Sequence, residues 1–194
     1  MGYDTTAWTT AGNTLTIGGT TMYADFNIGQ NESVSFATGY HYPLQYNAQS
    51  TGNYLMEEDI TFGNDTDPAT SFTTAEGASS DASLLVNKLW YIPDNIYIDS
   101  VYSLEGAQTA TGDTTRMHLM SYDFTSGSTS ALTSGTLLAH NSDVTNAGSE
   151  QIYLSTWTVD SASVASGKVI LAFFECDSTN SDYSINVKVK YHLT

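Results

Sequence analysis

The sequence predicts an all-β protein, a two-sheet antiparallel sandwich of jelly-roll type preceded by a turn-rich N-terminal segment. Three observations predict it. Ser and Thr supply 51 of 194 residues while prolines number 3, and no dozen-residue stretch spaces apolar residues at three and four between recognisable helix caps. Near the C-terminus Ile185, Val187, Val189, Tyr191 and Leu193 alternate with Asn186, Lys188, Lys190 and His192, the period of two of a strand with one buried face. Clusters of Asp, Asn, Gly and Ser supply turn chemistry at intervals of about 10 to 20 residues, the rhythm of a sandwich.

Length suggests one domain, or one with an elaborated terminal segment, able to bury roughly 70% of its unfolded surface. With 40% hydrophobic residues, including 13 Tyr, 7 Phe and 3 Trp, the chain is too apolar and aromatic for disorder. The expected division is residues 1–80, an N-terminal arm and small β segment, and residues 81–194, the sandwich.

In the first part, short strands are expected at Thr14 to Ile17, Thr21 to Phe26, Glu32 to Phe36 and Tyr54 to Phe62, with Gly18-Gly19 as a hairpin turn. Residues 1–12 lack a core pattern yet carry Tyr3 and Trp8, large apolar groups that a free tail has no reason to keep. A docking arm that binds a partner and simple packing on the parent domain are the two readings. Asn64 to Asp81, rich in Asp, Thr, Ala, Ser and Gly, reads as the linker.

Seven strands fit the second part: Leu84 to Ile92, Ile96 to Leu104, Thr115 to Phe124, Thr136 to His140, Gln151 to Val159 (apolar at Ile152, Leu154, Trp157 and Val159), Lys168 to Cys176, and the alternating last strand. Lys168 to Cys176 is apolar on both parities, which a strand tolerates only when both faces are covered. One face meets the core. For the other, a neighbouring subunit is a physical candidate, with the second sheet and the N-terminal segment as rivals.

Charge narrows the partners. Five basic residues stand against 21 acidic, for a net charge of −16, so polyphosphate is repelled and no basic run exists to release counterions from nucleic acid. No apolar run approaches the ~20 residues that cross a bilayer, and Met1-Gly2-Tyr3-Asp4 lacks the basic start of an export signal. No nucleic acid and no membrane is the expectation. Cys176, the single cysteine, reads as a buried strand thiol.

Candidate chemistry is sparse, and no enzyme activity is expected. Glu57-Glu58-Asp59 reads as a solvated strand face, with paired carboxylates as the alternative. Asn64-Asp65-Thr66-Asp67 spaces oxygens as calcium loops do, but Pro68 follows at once and the later glycine and acid of an EF-hand are missing. A turn is the default, calcium the alternative, and no other cofactor is expected. Glu175, Asp177 and Asp182 flank the last turn, with water as the default counter to their repulsion. His41, His118, His140 and His192 show no zinc spacing, and His118 reads as a surface or interface residue. Tyr40, Tyr42 and Tyr46 lie among Gln45, Asn47, Gln49 and Asn53, a combination that serves a subunit interface, a core or a bound glycan.

From Leu84 onward, the succession Leu89-Trp90-Tyr91-Ile92-Pro93-Asp94-Asn95, Ile96-Tyr97-Ile98-Asp99-Ser100-Val101, the polar strand Arg116 to Phe124, Leu137-Leu138-Ala139 and Val164 to Leu171 resembles the jelly-roll domains of small tailed-phage virion proteins. These are capsid decoration (cement) proteins, head fibres and tail fibre tips. The resemblance implies a virion protein on the outer capsid surface, a homotrimer, with the major capsid protein as partner. Tyr3 and Trp8 would then anchor the N-terminal segment to the capsid. A fibre recognising host glycans and a free carbohydrate-binding module are the alternatives. Strong negative charge suits an exterior, since it keeps particles apart and away from packaged DNA.

Overall fold

The computed structural model describes residues 8–11, 14–17, 22–28, 40–47, 62–64, 86, 88–108, 110–127, 132–177 and 182–194. These residues hold strands and turns and no helix. In chain order the strands are β1 (Trp8–Ala11), β2 (Thr14–Ile17), β3 (Met22–Ile28), β4 (Tyr40–Pro43), β5 (Gln45–Asn47), β6 (Phe62–Asn64), β7 (Trp90–Tyr91), β8 (Ile96–Gln108), β9 (Thr114–Phe124), β10 (Leu132–His140), β11 (Val144–Thr145), β12 (Glu150–Thr156), β13 (Thr158–Val159), β14 (Ser163–Val164), β15 (Lys168–Cys176) and β16 (Asp182–Leu193).

Two antiparallel sheets make a sandwich of jelly-roll type. One runs β12-β8-β16-β3-β5, with β14 also on β8. The other runs β13-β10-β9-β15-β4-β6, with β11 on β9 and β7 on β15. The N-terminal hairpin β1–β2 forms a two-stranded sheet of its own. The strands β3 to β6, also before residue 80, belong to the sandwich: β3 pairs with β16 from Ile28↔Ile185 to Met22↔Tyr191, and β4 pairs with β15. The expected boundary near residue 80 does not separate the sheets. The expected strand at Glu32 to Phe36, and most of that at Tyr54 to Phe62, lie outside the described residues.

Alternation decides which side chains face the core. On β16 the odd positions Tyr183, Ile185, Val187 and Val189 point inward and are at most 2% exposed. Full burial of such a side chain contributes roughly 1.5–3 kcal/mol. On β8 the parity switches midway, with Ile96 and Ile98 inside but then Val101, Ser103, Glu105 and Ala107. A register shift against Lys190/Tyr191 inserts the extra residue that makes this possible. Without it one half of the strand would turn its apolar side to water.

Trp157 marks where the chain changes layers. It separates β12, which pairs with β8, from β13, which pairs with β10 in the opposite sheet. Its ring is buried, and its indole N–H donates to Ser103 Oγ at 2.9 Å. The buried hydroxyl and indole thus satisfy each other inside the sandwich.

The doubly apolar strand β15 is covered on both faces, and by one chain. Ile170, Ala172, Phe174 and Cys176 join Met117 and Leu119 of β9 in the main core. Val169, Leu171 and Phe173 face the other way. They form a second cluster with Met120, Tyr122 and Leu132, flanked by Leu89 and Leu137. Val169 is 2% exposed, and Leu171 and Phe173 are fully buried. Of the candidate covers for its second face, a neighbouring subunit is not required: the single chain buries it.

Candidate functional site

The residues singled out from the sequence do not converge. Tyr3 lies outside the described residues, and Trp8 opens the separate hairpin β1–β2. Tyr40 and Tyr42 fall on β4, where Tyr42 is in register with Phe174 of β15, whereas Tyr46 falls on β5 in the other sheet, in register with Phe26. Leu44 between them is fully buried, its N–H donating to the carbonyl of Ala172 at 2.8 Å.

Tyr46 itself belongs to an aromatic cluster at the core. Its ring stacks on Trp90, with centroids 5.7 Å apart and planes 10° from parallel. Phe26 lies 5.5 Å from Tyr46, and Tyr191 lies 4.8 Å from Trp90. Burial, reinforced by Tyr191 and Asp25, pushes the Tyr46 phenol up to about 12. It stays neutral at any physiological pH, and one of its faces is taken by Trp90.

Glu57, Glu58, Asp59 and Asp65 to Asp67 lie outside the described residues, while Asn64 ends β6. Among the described residues no group of three or more His, Cys, Asp or Glu side chains is placed to hold a metal ion. Asp177 Oδ1 accepts the N–H of Thr114 at 2.7 Å, and Cys176 is buried as its strand pattern implies. His118 is 2% exposed, in register with Phe173 on the outer face of its sheet. The surface position expected for it is thus corrected. Nearby, Arg116 makes a two-pronged pair with Asp143, at 2.7 and 3.0 Å. The guanidinium's hydrogen bonds hold the Asp143 carboxyl below the usual carboxylate range.

One polar cluster inside the sandwich had not been singled out. Glu105 is 1% exposed, with Oε1 accepting the Thr115 hydroxyl at 2.7 Å and Oε2 buried without a hydrogen-bond partner. Beside it, Tyr183 Oη accepts from Asn146 Nδ2 at 3.2 Å and from the Cys176 thiol at 3.5 Å. Desolvation raises the Glu105 carboxyl to about 7, against a smaller opposing effect of the Thr115 hydrogen bond. The same burial raises the Tyr183 phenol well above its ordinary value. In the second half of β8, beyond the register shift, Glu105 shares its side with Val101, Ser103 and Ala107.

The surface feature with the clearest chemistry is on β12. Ile152 is 83% exposed, Leu154 70% and Leu104 of the adjoining β8 48%. Register places Leu154 beside Leu104 and Ile152 beside Gly106, so these side chains make a continuous apolar ridge at the edge of the six-stranded sheet. Against it lies an open cleft of about 660 Å³ lined by Gly106, Gln108, Glu150, Ile152, Tyr183 and Ser184. Its wall carries one carboxylate, Glu150, and no base paired with a nucleophile. No protein-family model and no curated protein matches the chain.

Proposed function

We propose that the protein is a viral structural protein, a decoration (cement) protein on the outer surface of a phage head. It binds the major capsid protein through its N-terminal hairpin and presents the sandwich outward. The observation that carries the reading is the hairpin β1–β2, which opens at Trp8 and belongs to neither layer of the sandwich. A strand pair outside the main sheets can engage a lattice without rearranging the body that carries it. The net charge of −16 supports the outward placement, because it keeps neighbouring particles apart. The action is mechanical: a protein bound to the assembled shell and not to its separated subunits stabilises the shell by mass action.

The glycan-binding alternative has less support, since Tyr46 stacks on Trp90 and lies in the other sheet from Tyr40 and Tyr42. Heating particles with and without the protein tests the proposal: loaded particles should open at the higher temperature. Trp8→Ala should weaken capsid binding by at least about thirtyfold, the loss typical of an aromatic anchor worth about 2 kcal/mol. Equal disruption temperatures, or unaltered binding by the Trp8 variant, would refute it.

A further inference from the structure

The apolar ridge on β12 lies on a strand whose second edge has no neighbour among the described residues. β12 ends the six-stranded sheet, paired only with β8 through an unbroken register from Glu150↔Gln108 to Thr156↔Tyr102. Edge strands are ordinarily guarded by lysine, proline, a bulge or inward-pointing charge. From Glu150 to Thr156 there is no lysine, arginine or proline, the register has no shift, and the outward side chains include Ile152 and Leu154. The N–H of Trp157 bonds the carbonyl of Val101 on β8 at 2.9 Å. By the alternation of an antiparallel ladder, Ile152, Leu154 and Thr156 therefore direct their backbone groups away from β8.

We infer that β12 is a self-association edge, on which β12 of a second copy adds in antiparallel register about Tyr153. Side-chain complementarity selects the occupant. Two-fold pairing about Tyr153 sets Ile152 against Leu154, Gln151 against Ser155 and Glu150 against Thr156. Apolar groups thus meet apolar groups, polar meet polar, and the only charged group on the strand never meets its own copy. Leu104, Ile152 and Leu154 from each copy join in one stripe across a continuous sheet. β15 is already covered within one chain, whereas Ile152 and Leu154 on β12 remain exposed and available to a sister subunit. The net charge of −16 on each copy opposes their approach over distance, so association should strengthen as added salt screens that repulsion.

Sedimentation velocity from about 1 µM to about 1 mM, a span that reads out weak to moderate association, is the test. The wild-type chain should pass from monomer to dimer within it. Ile152→Lys combined with Leu154→Lys alters two exposed side chains and should leave the fold intact by circular dichroism. It should weaken the dimer by at least about tenfold, since like charges then lie directly opposite across the strands. Thr156→Lys places an ammonium opposite Glu150 of the second copy at both ends of the seam, and should tighten the dimer about threefold to tenfold. A chain that stays monomeric, a trimer, a dimer indifferent to the double substitution, or one loosened by Thr156→Lys would overturn the inference.

Discussion

Glu105 makes the stability of this protein depend on pH in an unusual direction. The carboxyl is 1% exposed, one of its oxygens has no hydrogen-bond partner, and it titrates at about 7 in the fold against an ordinary value of 4.5. Between those two values the folded chain holds a proton that the unfolded chain releases, so stability falls as pH rises. The favourable contribution is complete below pH 4.5 and is lost as pH climbs through about 7. At about 1.4 kcal/mol per pH unit, the displacement corresponds to about 3 kcal/mol between the two protonation states. Glu105→Gln removes the titration while keeping an acceptor for the Thr115 hydroxyl. Urea unfolding of both chains at intervals from pH 4 to pH 9 gives the comparison. The variant should gain about 3 kcal/mol on the wild type between the acid and alkaline ends of that range. Taking the difference between the two chains cancels the titrations they share. A difference that does not change with pH would refute the reasoning.

Two further substitutions test the packing. Phe173→Ala empties a fully buried position in the outer cluster of β15 and should cost about 3–5 kcal/mol in urea unfolding. Because one chain buries the site, the loss should be the same at every protein concentration, whereas a site covered by a partner would show dependence on concentration. Trp157→Phe removes the indole N–H bond to Ser103 while leaving most of the ring volume. It should lower stability by about 1–3 kcal/mol, the cost of a buried hydroxyl deprived of its partner.

The fold class was legible because the β16 alternation and the doubly apolar run of β15 survive almost unchanged into the structure. What covers β15 was not legible. A pattern says that a face must be hidden but not whether Leu89, Leu132 and Leu137 of the same chain or another molecule hides it. Ile152 and Leu154 misled in the opposite sense. They read as ordinary strand residues, yet β12 ends a sheet and turns them to solvent, and sheet position is a tertiary property that no local period encodes. Of the expected strand from Leu84 to Ile92, the described residues that pair are Trp90 and Tyr91, held by Ile170 and Val169. Glu105 was hidden by the shift in register that reverses parity along β8. Counting twos from Ile96 puts it on the wet side. The N-terminal strands were found piecemeal, and their membership of the two large sheets was not, because their partners lie far along the chain.

That distance shapes how the protein comes into being. β3 hydrogen-bonds along its length to β16, far along the chain, so during synthesis its mate is made long after β3 itself. Contacts between such remote segments close the largest loops and form slowly. β8 and β12 can zip together earlier, but residues 22–28 must wait, with Ala24 and Phe26 as yet unhoused. A nascent chain halted short of residue 182 would lack the central plank of its six-stranded layer.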